Sequence, residues 1–183
     1  MADPEFILLG DALWLDFANT APFLPHRHDH LPDHAAYVRW TRALKLSAES
    51  DVDFERIRRL RDQLLEMAQC LDAGRTPSSA LTQALNGVLG RLEGTEQLIR
   101  IGGAWRLRFQ TMRSPTPIEA IAASAAATLA NPLAHVRRCA GIDCGLYFTD
   151  LTPQQSRRWC SPGRCGHRGR VERRRVSRAT PLV

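Results

Sequence analysis

Cys139-Ala-Gly-Ile-Asp-Cys144 and Cys160-Ser-Pro-Gly-Arg-Cys165 are the most informative segments of this 183-residue sequence. Four residues separate the cysteines within each pair, and fifteen residues separate the two pairs. Thiolates on two short turns can converge tetrahedrally on one zinc ion, although a gap of two residues is commoner within such a pair. The spacing therefore predicts one structural zinc ion per chain, held by Cys139, Cys144, Cys160 and Cys165.

Two other interpretations of these cysteines compete with zinc: a disulfide framework and buried free thiols. The N-terminus has no basic region and only a four-residue apolar run, so it does not resemble a signal peptide. We therefore expect a cytoplasmic protein with reduced thiols, in which four clustered cysteines favour a metal over disulfides. Their symmetric pairing argues against inert thiols, whereas Cys70 stands apart and is expected in the core.

A recognisable signature surrounds the two cysteine pairs. Arg158-Trp159-Cys160-Ser161 is followed by Cys165-Gly166-His167-Arg168 and an arginine-rich stretch, and the first pair is followed by Tyr147-Phe148. Together these segments resemble the CGNR zinc-finger family. The third signature position, asparagine in that family, is His167 here. We expect His167 to orient the turn or to face phosphate, because four thiolates already fill the zinc shell.

The N-terminal segment Ala12-Leu-Trp-Leu-Asp16-Phe-Ala-Asn19-Thr20 carries a second resemblance. It is similar to the start of the ABATE domain, which usually precedes this finger and is described as a stress-induced transcription regulator. The resemblance implies an ABATE-like, mainly helical domain at residues 1–134 and a CGNR-like finger with a basic C-terminal helix at residues 135–180. The expected fold class is mainly α (α+β): helices and a β-hairpin, then a treble-clef-like or knuckle-type zinc module.

Hydrophobic periodicity predicts the helices of the N-terminal domain. The longest opens at Asp53 and runs to about Asp72, with an apolar stripe along one face. Its arginines stand among acidic residues, which favours a solvated, salt-bridged surface for Arg56, Arg58, Arg59 and Arg61. An alanine-rich helix from Thr116 to about Asn131 is expected to pack in the core, with a dimer face as the second interpretation.

A β-hairpin is predicted between the helices. Two alternating runs, residues 97–101 and 105–109, flank Gly102-Gly103. Because side chains alternate across a strand, Trp105, Leu107 and Phe109 share one face, and the arginines between them share the other. We expect those arginines to be a solvated strand face, not a site.

Two polar clusters of the N-terminal domain have both a structural and a functional interpretation. Asp16 and Asn19 stand among apolar residues, where they either bond neighbouring backbone and fix a turn or face a ligand. A second metal site would need closely spaced histidines, and the sequence has His26, His28, His30 and His34. Pro25 and Pro32 interrupt that stretch, so a flexible solvated loop is preferred.

Charge is distributed unevenly along the chain, whose formal net charge is +6. Residues 136–178 hold eleven arginines against three acidic residues, a net charge of +8, whereas the rest of the chain has a net charge of −2. This asymmetry is expected of a chain with one polyanion-binding end. The candidate nucleic-acid-binding residues are Arg157, Arg158, Arg164, Arg168, Arg170, Arg173, Arg174, Arg175 and Arg178.

The stretch after Cys165, read as a helix, aligns its arginines in rows. One row is Arg170, Arg174 and Arg178, and the other is Arg168 and Arg175. Arginine offers paired hydrogen bonds to phosphates and to guanine edges, which favours a structured nucleic-acid-binding helix. A disordered basic tail and a protein-contact role are the alternatives.

These observations predict a zinc-containing protein that binds nucleic acid, most simply double-stranded DNA, and the resemblance implies a transcriptional regulator. An RNA-binding protein is the first alternative, although we expect Trp159, Tyr147 and Phe148 to form the finger's small core and not to stack on bases. A ligand-binding or catalytic N-terminal domain is the second. We expect no enzyme, because four cysteines leave no zinc position for water. No apolar run approaches the roughly eighteen residues of a membrane span.

Overall fold

The computed structural model describes residues 6–22, 28–47, 53–141 and 143–169, and it confirms the expected α+β class. Two small antiparallel sheets of two strands each accompany the helices in this part of the chain. A π-helical turn, Pro162–Gly166, lies near the end of the described residues. In chain order the elements before it are α1 (Leu13–Ala18), α2 (His34–Ala43), α3 (Phe54–Asp72), α4 (Ser79–Leu89), β1 (Gly94–Ile101), β2 (Ala104–Thr111), α5 (Pro117–Ala130), β3 (His135–Arg138) and β4 (Tyr147–Asp150).

The helices begin where polar side chains satisfy their first free N–H groups. Asp33, Asp53 and Ser78 each accept a hydrogen bond from a backbone N–H in the first turn of α2, α3 and α4. At α5, Thr116 and Glu119 form a reciprocal capping box. The predicted starts of α3 and α5 are therefore confirmed.

The core of the N-terminal domain is built around α1, which packs against both α3 and α5. Trp14 and Phe17 of α1 are fully buried, as are Ile121 and Ala122 of α5. Burying each large apolar side chain stabilises the fold by roughly 1.5–3 kcal/mol. The alanine-rich face of α5 is thus used for packing within the chain, which was its first interpretation. None of the helices among the described residues is long and apolar enough to cross a bilayer.

One arginine of α3 departs from the predicted solvated surface. The side chain of Arg61 is only 2% exposed, and its guanidinium forms a paired hydrogen bond with Asp29, with N–O distances of 2.7 and 2.8 Å. The surface prediction is wrong for this residue because Arg61 lies four residues after Ile57 and three before Leu64, on the apolar face. Burial would raise the pKa of Asp29, but hydrogen bonds from Arg61 and the Leu31 N–H outweigh burial and lower it. By contrast, Arg58 forms the expected exposed pair, with Glu55.

Strands β3 and β4 dock the finger directly on the helical domain. Val136 and Tyr147, one from each strand, are buried within the main hydrophobic core. Main-chain hydrogen bonds reinforce this contact: the Thr149 N–H donates to the Gly10 carbonyl at 2.9 Å, and the Arg138 N–H donates to the Asp72 carboxylate at 2.8 Å. The finger is therefore held in a fixed position relative to α1 and α3.

Candidate metal centre and its surroundings

The four predicted cysteine ligands converge on one point. Cys139 directly follows β3, and Cys144 lies in the turn before β4. Cys160 lies just before the π-helical turn, and Cys165 lies within it. All four sulfurs lie within 4.8 Å of one another, with Cys144–Cys160 at 3.5 Å and Cys160–Cys165 at 3.7 Å. Tetrahedral zinc with bonds of about 2.3 Å needs sulfur–sulfur distances of about 3.8 Å. All four side chains are buried, so the centre fits one structural zinc ion with a closed shell of four thiolates.

The backbone around the centre leaves just enough room for the sulfurs. A Cβ atom on Gly141 would lie 3.1 Å from the Cys144 Cβ and 3.3 Å from the Cys165 Sγ. At the other turn, the Ser161 side chain accepts from the Arg164 N–H at 3.3 Å and starts the π-helical turn that carries Cys165. These local contacts help to position each cysteine pair.

Four thiols this close to one another oppose each other's ionisation. Thiol hydrogen bonds, first from Cys144 and then from Cys160, lower the pKa of Cys139 to about 2. The hydrogen bond to Cys139 in turn raises the pKa of Cys144 to about 12, and the pKa of Cys160 also rises for this reason. A divalent ion removes this conflict, because it lowers the pKa of every coordinating thiol.

The finger has its own small core beside the metal centre. Leu146 and Phe148 are buried together with the four cysteines, and Leu9 from the N-terminal segment and a half-buried Trp159 pack against them. Tyr147 points the other way and belongs to the main core. The expectation of an aromatic finger core is thus confirmed for Phe148, and Tyr147 serves the domain contact instead.

Arg157, a predicted nucleic-acid contact, is engaged inside the protein. All three guanidinium nitrogens donate within the chain: Nε to the Trp159 carbonyl at 2.9 Å, Nη1 to the Asp11 carboxylate and Nη2 to the Cys160 carbonyl. The guanidinium also lies 4.5 Å from the centre of the Phe148 ring. Arg157 therefore cross-links the N-terminal segment to the second cysteine turn, a role that the sequence did not predict.

Asp150 is a structural residue that the sequence interpretation missed. Its fully buried carboxylate accepts from the Thr152 N–H and hydroxyl at 2.9 and 2.7 Å and from the Arg157 N–H at 2.9 Å. Burial opposes the charged form, but these hydrogen bonds and the nearby Arg137 lower the pKa of Asp150. The spacing Asp-Leu-Thr, which is typical of a side-chain-capped turn, is the local signal that points to it.

Asp16 and Asn19 bond to backbone in the structure. The Asp16 carboxylate accepts from the Gly10 N–H at 2.8 Å, and burial raises its pKa to about 6. The Asn19 amide donates to the Tyr147 carbonyl and accepts from the Tyr147 N–H. Asp16 thus bonds nearby backbone, as its structural interpretation requires. Asn19 departs from that interpretation, because the backbone that it bonds is distant in sequence and belongs to the finger.

The other predicted site residues divide into two groups. Arg158, Arg164, Arg168 and His167 are exposed around the second cysteine turn. Arg168 also donates to the Cys165 sulfur at 3.5 Å, and Arg158 lies 5.5 Å from the centre of the Trp159 ring. The remaining predicted contacts lie outside the described residues: Arg170, Arg173, Arg174, Arg175 and Arg178.

The histidine-rich stretch contributes no metal cluster among the described residues, where the four cysteines form the one group found. His26 lies outside those residues. The rings of His28 and His30 stack edge to face at 4.9 Å, and His34 begins α2. Asp29 is held by Arg61, so part of this stretch is anchored on α3 and is not simply a solvated loop.

Comparison with known protein families agrees with this architecture. The family model of ABATE, described as "Putative stress-induced transcription regulator", matches residues 11–132. The model of the CGNR zinc finger matches residues 135–178. No curated protein matched the chain in sequence. The first match covers about two thirds of the chain and the second includes all four cysteines, so the protein belongs to the ABATE family and carries a CGNR zinc finger.

Proposed function

We propose that this protein is a DNA-binding transcriptional regulator whose zinc finger contacts double-stranded DNA. One observation carries the proposal: the net charge of +8 on residues 136–178, against −2 on the rest of the chain. Clustered arginines attract the phosphate backbone and release its counterions on binding. The family description, a stress-induced transcription regulator, supports the same reading and is the basis for a role in stress.

The finger offers a rigid support for such contacts. Zinc would fix the second cysteine turn, and Arg158, Arg164 and Arg168 are exposed around that turn. The sequence after Gly169 adds five further candidate arginines to the positive charge of the finger. We leave Arg157 out of the contact set, because its guanidinium is already used within the protein.

Within the finger, the burial of the aromatic rings favours DNA over RNA. Recognition of single-stranded RNA commonly uses exposed rings on which bases stack. Tyr147 and Phe148 are buried, and Trp159 is half-buried beside the metal centre. The finger therefore offers charge and hydrogen-bond donors in place of a stacking platform, which suits the phosphates and grooves of a duplex.

We further propose that the protein is not an enzyme and acts in the cytoplasm. A shell of four thiolates leaves no open zinc position at which water could be activated. Reduced cysteines, which zinc binding requires, are maintained in that compartment.

Selection from a random double-stranded DNA library, with the intact zinc-loaded protein, tests the proposal. We expect enrichment of a short sequence family and competition by duplex DNA that is stronger than competition by single-stranded RNA. Preferential competition by RNA would favour the RNA-binding alternative. Failure to retain any duplex at low salt would reject the proposal.

Sensing of a small anionic ligand is a second candidate function, supported by a cavity beside the finger. The cavity has a volume of about 320 Å³, within the range of small-molecule sites. Its lining includes His28, His30, Arg164 and Arg168, together with Asp143 and three of the zinc-binding cysteines, so the cavity adjoins the metal centre. Thermal denaturation of the zinc-loaded protein with small carboxylates and phosphates tests this role. Stabilisation that is lost on Arg164→Ala would support it, and no stabilisation by any of them would reject it.

A further inference from the structure

We propose that one face of the β1–β2 hairpin is a homodimerisation surface, covered in solution by a second copy of this chain. The face consists of the cross-strand pairs Glu96–Phe109, Leu98–Leu107 and Arg100–Trp105. We call these six residues the hairpin face. The inference concerns assembly and does not depend on the proposed binding of DNA.

The hairpin face exposes more apolar surface than a lone hairpin tolerates. Leu98, Trp105 and Leu107 are each more than 60% exposed, and Phe109 is 48% exposed. In the described part of the chain, the sheet contains no strand beyond β1 and β2. An isolated two-stranded hairpin is marginal in water, and contiguous exposed apolar patches usually mark interaction sites. Something is therefore expected to cover this face.

The strand register shows that these side chains lie together. Directly paired residues of antiparallel strands project from the same side of the sheet. Leu98 and Leu107 are paired at the centre of the face. Glu96 with Phe109 lies on one side of that pair, and Arg100 with Trp105 lies on the other. The opposite side of the hairpin carries Gln97, Ile99, Arg106 and Arg108.

This arrangement is complementary to itself under a two-fold rotation. Two copies of the hairpin can be stacked with their hairpin faces toward each other. The two-fold axis then lies midway between the faces, at the level of the central leucine pair, and is perpendicular to the strands. Leu98 and Leu107 then meet their own copies, while Glu96 meets the partner's Arg100 and Phe109 meets the partner's Trp105. Each such contact occurs twice, as a two-fold interface requires. Two opposite charge pairs, two aromatic pairs and a leucine centre result from one operation.

A second copy of the chain fits this face better than a nucleic acid does. The hairpin face carries one negative and one positive residue, whereas a phosphate-binding face would be uniformly basic. Among the described residues, Glu96 forms no ion pair, and Arg100 donates to the Gly103 carbonyl and lies over Trp105. The Arg100 contacts are with a carbonyl and a ring and not with an anion, so each of the two charges can still meet an opposite charge on another molecule.

Charge reversal tests both the surface and the symmetry. The zinc-loaded full-length protein is measured by sedimentation equilibrium over a wide range of concentration. We expect a dimer that Glu96→Arg or Arg100→Glu weakens by on the order of tenfold or more, because each creates like-charge contacts twice. The double variant Glu96→Arg/Arg100→Glu restores opposite charges at both contacts and should recover the dimer. Leu107→Lys should abolish dimerisation.

Matched controls separate this surface from general effects on folding or charge. Arg106→Glu and Arg108→Glu reverse charges on the opposite side of the hairpin and should leave the dimer constant unchanged. Circular dichroism and zinc content confirm that each variant is folded. A monomeric wild-type protein at every concentration would overturn the proposal. So would a double charge swap that associates no better than the single variants.

Discussion

Asn19 binds both main-chain groups of Tyr147: its amide nitrogen donates to the carbonyl at 2.8 Å, and its amide oxygen accepts from the N–H at 2.9 Å. These residues are 128 positions apart, and all the groups concerned are buried. The side chain of Asn19, the residue that directly follows α1, therefore continues the hydrogen bonding of β4 and joins the helical domain to the zinc finger. This link explains why the finger contributes to the main core.

Replacing Asn19 by alanine should destabilise the junction between the domains. The substitution leaves a buried N–H and a buried carbonyl without partners, which costs roughly 2–4 kcal/mol. We expect a lower free energy of unfolding in urea and faster loss of zinc to a chelator. Asn86→Ala, at an exposed position of α4, is the control and should change neither quantity by much. Equal behaviour of the two variants would contradict the role given to Asn19.

Arg157 and its neighbour Arg158 should behave differently when each is changed to alanine. Arg157→Ala removes hydrogen bonds to Asp11, Trp159 and Cys160, so zinc should be lost faster and unfolding should become easier. Arg158→Ala removes an exposed side chain whose described contact is with the Trp159 ring, so it should change zinc release and the free energy of unfolding much less than Arg157→Ala does, while reducing affinity for DNA. Chelator-driven zinc release, followed with a colorimetric indicator, makes the comparison. Faster release from Arg158→Ala than from Arg157→Ala would reverse the assignment.

The buried pair of Arg61 and Asp29 should contribute to stability at neutral pH. Asp29→Asn leaves the Arg61 charge buried with a weaker partner and should cost about 2–3 kcal/mol, given that Asp29 is partly exposed. Glu55→Gln breaks only an exposed pair with Arg58 and should cost at most about 0.5 kcal/mol. Urea denaturation at pH 7 measures both. An equal decrease in the free energy of unfolding in both variants would show that the pair of Arg61 and Asp29 stabilises the fold no more than an exposed ion pair does.

The same pair has a defined pH dependence. Folding lowers the pKa of Asp29 below its ordinary value of 3.8. The contribution of the ion pair to folding stability is therefore fully present above pH 3.8 and is lost as the pH falls through the lower pKa of the folded protein. The difference in stability between the wild-type protein and Asp29→Asn should therefore close below that pH. Acid release of zinc affects both proteins alike and cancels in the difference. A difference in the free energy of unfolding between the two proteins that persists at low pH would contradict the ion-pair account.

The structural role of zinc leads to a prediction about His167. Four thiolates complete the metal shell, and His167 is exposed, so His167→Asn should restore the family signature and leave one zinc ion per chain. The double variant Cys139→Ser/Cys165→Ser should contain none. Native mass spectrometry with elemental analysis measures both. Zinc that disappears with His167→Asn, or remains in the double cysteine variant, would show that the ligand set is wrong.

Local patterns predicted much of this architecture. The cysteine spacing identified the metal centre because both halves of the site are short turns encoded within a few residues. Helix α3 and the β1–β2 hairpin were predictable for the same reason: the Asp53 cap and Gly102-Gly103 act on their immediate neighbours. These are features in which sequence distance and spatial distance coincide.

Long-range polar partners were not predictable in this way. Asn19 and Tyr147, or Arg157 and Asp11, are distant in sequence, and nothing in either segment indicates its partner. Arg61 is intermediate, because its position on the apolar face of α3 signalled burial. Its partner, in the histidine-rich stretch, became evident only from the fold. Charge composition likewise identified a basic end of the chain. It did not show that the Arg157 guanidinium is hydrogen-bonded within the protein.

The salt dependence of DNA affinity tests the central claim, that the finger is the nucleic-acid-binding element. For duplex DNA, log affinity should fall linearly with log salt concentration, by about 0.9 for each phosphate contact. Arg170→Ala/Arg174→Ala in the finger should flatten that slope by about two units if both residues bind phosphate. Arg58→Ala/Arg59→Ala, on the exposed surface of α3, should leave it unchanged. Equal effects of the two double variants, or no binding of DNA by the zinc-loaded protein at low salt, would contradict the account.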